Sequence, residues 1–166
     1  TEELPIEGRP SFKTHSLVLS GKIGVNFFMN IPEAYREGSY MTFSISGKGT
    51  TTERDDFDAK HTNTAGTCYG FTCYVNSIQM ADTITAVFHY GDGQTVEQTY
   101  SVKDYLNTFD DAISNYDNYT VALVHAIGDY GHYVQPMLSQ TNGWTIGTDY
   151  AEMDKYYTAD GAYDIE

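Results

Sequence analysis

The chain has 166 residues, of which 9 are lysine or arginine and 23 are aspartate or glutamate, so its formal net charge at pH 7 is −14. This length suits one domain with a sizeable core, and a charge this negative repels nucleic-acid phosphates and anionic lipid. We therefore expect no nucleic-acid partner, and no membrane insertion, because no apolar run approaches the roughly 20 residues of a spanning helix. The 15 tyrosines and 8 phenylalanines favour strands and polar surfaces that carry aromatic rings.

The first half of the chain predicts strands. Every second residue from Ile23 to Ile31 is apolar, which is the pattern of a half-buried strand. Ser20-Gly21 separates this run from SLVLS, so the two segments predict a hairpin. Alternating runs on both sides of Gly91-Asp92-Gly93 predict a second hairpin. Further strands are predicted at YMTFSIS and at YGFTCYV, with a bulge or bend near Asn76-Ser77, where the apolar phase slips by one residue.

A long polar segment interrupts these strands at residues 47–67, with the sequence GKGTTTERDDFDAKHTNTAGT. A polar loop of this length inside a domain is either mobile or functional. Cys68 and Cys73 belong to one apparent strand, and their odd separation would direct them to opposite faces. We expect Cys73 in the core and Cys68 at the periphery, with no disulfide assigned and no zinc knuckle.

The second half predicts helices. Ser101 resembles an N-cap with an acid three residues later, and it opens a helix expected to run from about Val102 to Asn115. Asp117-Asn118 is expected to cap a second helix, which Pro136 should end or kink. YAEMDKYY is a candidate for a short third helix. The apolar face expected to be buried on the second helix contains Leu123, Ile127, Tyr130, Val134 and Leu138.

Strands followed by helices predict an α+β fold: an antiparallel sheet or β-sandwich of about six strands, followed by two C-terminal helices packed on it. We expect residues 1–11 to be a linker or extended lead-in, 12–158 a single domain and 159–166 a linker. Gly128 and Gly131 lie on the flank of the apolar stripe, where missing side chains would let the second helix approach the sheet or the first helix closely.

Two sets of residues resemble metal sites. His125, Asp129 and His132 share one face of the predicted helix and are ligand types for zinc or non-haem iron, but no other element supplies a further ligand. The pattern fits better with the outward polar side of a packing helix. Alternate acids in the polar loop, among them Asp56 and Asp58, are a possible calcium ligand set, although the EF-hand spacing is absent. Calcium is thus the one possible cofactor, and a solvated acidic loop is the favoured interpretation.

The sequence predicts binding rather than catalysis. It has no Gly-x-Ser-x-Gly motif and no complete phosphate loop, and 23 acids are too many to single out a hydrolytic pair. No catalytic residue is assigned. Aromatic rings stack on sugars while nearby acids and amides bind the hydroxyls. The expected glycan contacts are Trp144, Tyr150, Asp149 and Asn142 near the C-terminus, with Asp56 and Asp58 of the polar loop.

Three segments carry a resemblance to a known group of modules: LSGKIGVNF, the stretch from Ser101 to Tyr105, and the stretch from Asp129 to Gln135. Between Leu17 and Gln135 the chain resembles a module of unassigned role that recurs in large secreted and surface-attached multimodular proteins of Gram-positive gut anaerobes, including cell-wall and cellulosome-type assemblies. The resemblance implies an extracellular, non-catalytic module, and it carries no active site. We expect a polysaccharide or glycan ligand, or a neighbouring protein module as partner. A structural spacer and a glycan-active hydrolase are the alternatives.

Overall fold

The computed structural model describes residues 8–48 and 53–156. Within these residues it has seven antiparallel strands in two sheets and two C-terminal α-helices, which confirms the predicted α+β class, with seven strands instead of about six. The linker predicted at 159–166 and most of the lead-in predicted at 1–11 lie outside the described residues, and these domain boundaries stay predictions.

The described residues form two compact units, and each is treated by itself. The first contains residues 8–45, 53–74 and 84–99, and the second contains residues 46–48, 75–83 and 100–156. The sheet orders are β1-β2-β5 and β4-β3-β6-β7. The strands are β1 Ser11–Val18, β2 Ile23–Asn30, β3 Tyr40–Ile45, β4 Glu53–Asp56, β5 Tyr69–Val75, β6 Ile84–Tyr90 and β7 Gln94–Tyr100.

Both predicted hairpins are confirmed. β1 and β2 pair antiparallel with Leu17 opposite Val25, and Gly21 between them has a φ of +79°. β6 and β7 are adjacent in their sheet, and they are joined by a turn in which Gly91 and Gly93 have φ values of +54° and +75°. Glycine adopts these left-handed conformations without steric cost, which is why this turn can form here.

The predicted polar loop is not loop throughout. Its residues Glu53–Asp56 form β4, which pairs antiparallel with β3 so that Asp55 lies opposite Met41. Because β4 is the last strand of its sheet, its side chains can stay solvated while its backbone completes the ladder, and so it lacks an apolar period. The single-turn helix at Ala59–His61 follows, and the predicted bend near Asn76-Ser77 is a second single-turn helix at Ser77–Gln79.

The core of the first unit is aromatic. Phe27 of β2 lies 5.6 Å from Phe43 of β3, and Phe71 of β5 lies 5.8 Å from Phe88 of β6, measured between ring centroids. These four rings are at most 2% exposed and bring the apolar sides of the two sheets into contact.

Both cysteines are free and buried. Cys73 is a core thiol as expected, and burial raises its pKa to about 12. Cys68 is only 5% exposed, so its predicted peripheral position is wrong. The turn that precedes it explains the burial, because the Asn63 side-chain oxygen accepts from the backbone N–H groups of Thr67 and Cys68 at 2.8 and 3.1 Å and turns Cys68 inward before β5 begins.

In the second unit, α1 spans Val102–Asp111 and α2 spans Asn118–Asn142. The predicted caps are confirmed: Ser101 Oγ accepts from Asp104 N at 3.0 Å, and Asp117 Oδ1 accepts from Thr120 N at 2.8 Å. α1 ends at Asp111 and is followed by a single helical turn at Ile113–Asn115.

α2 does not end at Pro136, the first of the two effects predicted for this residue, and the predicted kink stays a prediction. The helix continues through Pro136 to Asn142 and ends before Gly143, whose φ is +67°. Buried residues on both sides of the proline hold the helix in place, since Gln135 Nε2 donates to Ile78 O and Ala151 O at 3.1 and 2.9 Å. Ser139 Oγ donates to Gln135 O at 2.5 Å. These contacts compensate for the backbone hydrogen bond that the proline cannot make.

The predicted buried stripe of α2 is only partly confirmed: Val134 is 8% exposed, but Leu123 and Tyr130 are 57% and 51% exposed. The buried face is instead the one with small and amide side chains, and residues 151–156 pack onto it. These residues form an extended segment and not the helix predicted from YAEMDKYY. The residues buried on α2 are Val124, Gly128, Gly131, Val134, Gln135 and Ser139.

The two glycines allow a close approach, as the sequence predicted, but the neighbours are Met80 and the segment 151–156 and not the sheet or the first helix. A Cβ on Gly131 would lie 2.7 Å from Met80 Sδ and 3.1 Å from Met153 Cγ, and one on Gly128 would lie 2.8 Å from Tyr156 Cε2. All of these distances are shorter than an ordinary van der Waals contact. The glycines are therefore packing residues, and their partners are Met80 and the extended segment.

Asp82 is the buried acid of the second unit. It is 2% exposed, and its Oδ1 accepts from Ala151 N at 2.7 Å. Its Oδ2 has no hydrogen-bond partner among the residues that the structure describes, and it faces Gly47, whose Cβ, if present, would lie 2.7 Å from Asp82 Cγ. Burial raises the pKa of this carboxyl, and the hydrogen bond from Ala151 opposes the rise.

Candidate functional site

The predicted contacts near the C-terminus follow the end of α2. Trp144 is half-buried, and its backbone N–H donates to Ser139 O at 3.0 Å. Asn142 is exposed, and its side-chain amide donates to Leu138 O at 2.8 Å. Trp144 and Asn142 thus lie at the surface of the second unit and stay predicted glycan contacts.

The other two residues of this region stabilise the loop itself. Asp149 Oδ2 accepts from Thr145 N at 2.8 Å, and Asp149 Oδ1 lies 3.6 Å from Lys48 Nζ. Tyr150 is only 2% exposed, and its hydroxyl donates to Gln135 O at 3.3 Å. The ring faces of Tyr150 are therefore covered by protein.

Asp56 and Asp58 belong to the first unit. Asp56 Oδ1 accepts from Nε and Nη2 of Arg54, both at 2.8 Å. Asp58 Oδ1 accepts from Lys60 N at 3.0 Å and caps the turn at Ala59–His61. Both carboxylates are thus engaged with the protein. Within residues 8–48 and 53–156, no group of three or more His, Cys, Asp or Glu side chains is arranged to hold a metal ion.

The three metal candidates on α2 are held by separate contacts. His125 Nε2 lies 2.6 Å from Asp110 Oδ1 on α1. Asp129 Oδ1 accepts from Tyr156 N at 2.7 Å, and His132 Nδ1 donates to Met153 O at 2.7 Å. Each side chain is half-buried, so the expectation that this face points outward is wrong, and the residues join α2 to α1 and to the extended segment.

A different surface combines aromatic rings with polar groups, on the outer side of the sheet β1-β2-β5. Because side chains alternate along a strand, and Val25, Phe27, Phe71 and Cys73 are buried, the residues between them point away from the core. We call this surface the polar-aromatic face. It contains Ser16 of β1, Asn26 and Phe28 of β2, and Thr72 and Tyr74 of β5.

Two aromatic rings lie on the backbone of the neighbouring strand in this face. The Phe28 ring occupies the space above Gly70, where a Cβ would lie 2.8 Å from Phe28 Cε1. The Tyr74 ring covers Gly24 in the same way, with a Cβ 3.1 Å from Tyr74 Cδ1. Gly24 and Phe28 are four residues apart on β2, a separation of about 13 Å. The two rings thus lie at opposite ends of the face.

Between the rings lies a row of hydrogen-bonded polar side chains. Asn26 lies opposite Ser16 in the β1–β2 pairing, and its Nδ2 donates to Ser16 Oγ at 3.1 Å. Thr72 Oγ1 donates to Asn26 Oδ1. These bonds fix the orientation of the Asn26 amide, yet the second amide hydrogen and free lone pairs on the hydroxyl oxygens remain for an external partner.

The polar-aromatic face is electrically neutral. None of its five residues is charged, in a chain with a net charge of −14. A single cation borders it: Lys22 Nζ lies 5.6 Å from the centroid of the Tyr74 ring, a distance typical of a weak cation–π contact. Tyr74 remains 44% exposed, so part of its ring is open to solvent.

Sequence reasoning missed this face although two signals pointed to it. Phe27-Phe28 places two phenylalanines next to each other in a strand, and only one of them can face the core. Gly24 and Gly70 each lie in a strand interior, which often marks a close approach of other groups to the backbone. The predicted ligand contacts lie instead around Trp144 and in the acidic loop.

Comparisons of the chain with models of known protein families, with curated proteins and with solved structures find no match. No helix in the described part of the chain is long and apolar enough to cross a membrane. The class is therefore defined by the fold and the surface: an α+β protein with a neutral polar-aromatic face on its three-stranded sheet.

Proposed function

We propose that the chain is a carbohydrate-binding module whose ligand lies on the polar-aromatic face. The observation that carries the proposal is the arrangement of Phe28 and Tyr74, whose rings flank the hydrogen-bonded Asn26. Flat aromatic rings contact the apolar faces of sugar rings, and oriented amides and hydroxyls bind sugar hydroxyls. A span of about 13 Å between the rings favours an oligosaccharide over a single sugar.

Charge favours a neutral polysaccharide as the ligand. The face itself is uncharged, and the remaining surface belongs to a chain with a net charge of −14. Uronic-acid or sulfated glycans would be repelled over a distance of about 10 Å at moderate salt. Neutral glycans bring no such penalty.

The proposal includes the expectation that the module is non-catalytic and extracellular, part of a larger surface-attached or cellulosome-type protein. The resemblance of the segments between Leu17 and Gln135 supports it. A protein-interaction or spacer role and a glycan-active hydrolase are the alternatives, and the experiment below separates them.

Affinity electrophoresis in gels that contain neutral plant or host polysaccharides tests the proposal. We expect at least one polysaccharide to retard the wild type, and Tyr74→Ala to weaken binding about tenfold or more through the loss of one stacking contact. Tyr116→Ala is the matched control, because Tyr116 is 46% exposed, close to the 44% of Tyr74, and lies outside the three-stranded sheet. It should be retarded like the wild type.

Three outcomes would contradict this assignment. If no polysaccharide retards the wild type, the chain is not a glycan-binding module of this kind. If Trp144→Ala abolishes retardation while Tyr74→Ala does not, the ligand lies at the loop after α2 instead. If the polysaccharide is cleaved, measured by release of reducing ends, the module is a hydrolase.

A further inference from the structure

The outward side of α2 carries apolar residues in a regular spacing. Tyr119, Leu123, Tyr130, Tyr133 and Met137 are between 51% and 70% exposed. With Ala126 they are separated by 4, 3, 4, 3 and 4 residues. This alternation is the 3.5-residue repeat of a coiled-coil seam, whereas a helix that packs on its own core follows a wider stripe. We call these six residues the α2 seam.

The seam lies away from the packed side of the helix. On a heptad that places Leu123 at position a, Val124, Gly128, Gly131 and Gln135 fall at positions b and f, and all four are buried. Most intramolecular contacts of α2 therefore use this side, although Val134 at position e is also buried and the Tyr130 hydroxyl, in the seam, lies 3.1 Å from Ser77 Oγ. From Tyr119 to Met137 the seam is about 27 Å long.

We propose that the α2 seam pairs with the same seam of a second copy of the chain, to form an antiparallel two-helix dimer interface. The order of side-chain sizes along the seam favours a second copy as the partner. In the antiparallel register, Ala126 lies opposite Tyr130 of the second copy and Leu123 lies opposite Tyr133, so small residues face large ones twice around a two-fold axis. A parallel pair would place Tyr130 against Tyr130 and Ala126 against Ala126.

The charges on α2 give a basic partner no specific contact. α2 has no lysine or arginine, and its one acid, Asp129, is engaged by Tyr156 N at 2.7 Å. Lys155 Nζ, 5.7 Å from the Tyr133 ring centroid, borders the seam without entering it. The seam thus offers a basic peptide no carboxylate, while two copies meet through neutral surfaces.

The net charge of −14 on each chain gives this dimer a characteristic salt dependence. The seams attract each other through apolar contact, while the chains as a whole repel each other at long range. Salt screens the repulsion and leaves the apolar contact. Dimerisation should therefore strengthen as the salt concentration rises, which is the opposite of the behaviour of an association between opposite charges.

Sedimentation equilibrium of the 166-residue chain tests the dimer, with Leu123→Glu as the seam variant and Leu19→Glu as the control. Leu19 is 44% exposed and lies between β1 and β2, so both variants replace an exposed leucine with the same charge. We expect the wild type and Leu19→Glu to approach twice the chain mass of 18.6 kDa with increasing concentration and salt. Leu123→Glu should raise the dimer dissociation constant at least about tenfold, with an unchanged circular dichroism spectrum.

Each of the following three results would overturn the proposal. A wild type that remains monomeric at about 1 mM, at the weak end of specific association, has no such interface. Equal loss of dimer in both variants would assign the effect to added charge and not to the seam. A dimer that dissociates when salt is added would be held by ion pairs.

Discussion

Replacing Gly131 with alanine tests whether the glycine face of α2 exists for close packing. In an exposed helix the change should stabilise the protein by about 1 kcal/mol, because alanine is the better helix former. Here the new Cβ would lie 2.7 Å from Met80 Sδ and 3.1 Å from Met153 Cγ, and both methionines are 0% exposed. Overpacking of this kind costs about 1–3 kcal/mol. We expect a net loss of about 1 kcal/mol, which lowers Tm by about 2–4 °C.

Thermal unfolding followed by circular dichroism measures this shift, and Met80→Ala supplies the decisive comparison. In a Met80→Ala background the Gly131→Ala methyl has room, so its cost should shrink or become a gain, with a coupling energy on the order of 1 kcal/mol. If Gly131→Ala raises Tm in the wild-type background, the helix propensity term dominates and the packing explanation is wrong. Additive effects of the two substitutions would contradict it as well.

Two further predictions concern single polar groups of the second unit. Asp82→Asn keeps the acceptor for Ala151 N and removes a buried carboxyl whose pKa is raised by burial. Because the pKa of Asp82 is higher in the folded than in the unfolded state, its contribution to wild-type stability is full below the pKa of the unfolded state. This contribution falls as the pH rises through the pKa of the folded state. The variant should therefore be at least as stable as the wild type at pH 7 and lose that advantage towards pH 4 in urea unfolding, and a constant deficit across this range would refute the assignment. Asp117→Ala removes the N-cap that accepts from Thr120 N at 2.8 Å and should lower the Tm measured at pH 7. Asp117→Ser should restore most of the loss, and an equal loss in both variants would show that the cap bond is not the cause.

The sequence predicted those elements whose signals are local. The alternation from Ile23 to Ile31 identified β2, and the side chains of Ser101 and Asp117 marked where two helices begin, because a strand period and a cap each depend on a few adjacent residues. β4 was not predicted, because it is the last strand of its sheet and needs no apolar face. Nothing in the sequence of Glu53–Asp56 therefore distinguishes it from a solvated loop.

The buried face of α2 could not be read from hydrophobicity. The core side of this helix contains Gly128, Gly131 and Gln135, none of which counts as apolar, and it is buried because Met80 and residues 151–156 fit against it. The side-chain amide of Gln135 donates to Ile78 O and Ala151 O and accepts from Met153 N, all in distant parts of the chain. Such complementarity is a property of the tertiary structure, and it leaves the more apolar side of the helix exposed.

The two exposed apolar surfaces therefore differ in what they imply. On the polar-aromatic face, the rings of Phe28 and Tyr74 cover glycines of neighbouring strands, and such covering stabilises a sheet even without a ligand. Those rings thus have a role within the chain, and a ligand would engage them together with the oriented Asn26 between them. In the α2 seam, Tyr130 and Tyr133 contact Ser77 and Lys155, but Leu123 and Met137 are 57% and 62% exposed and are not among the atoms nearest to a described glycine. An apolar repeat kept exposed in this way is better explained by a partner surface than by the stability of the single chain.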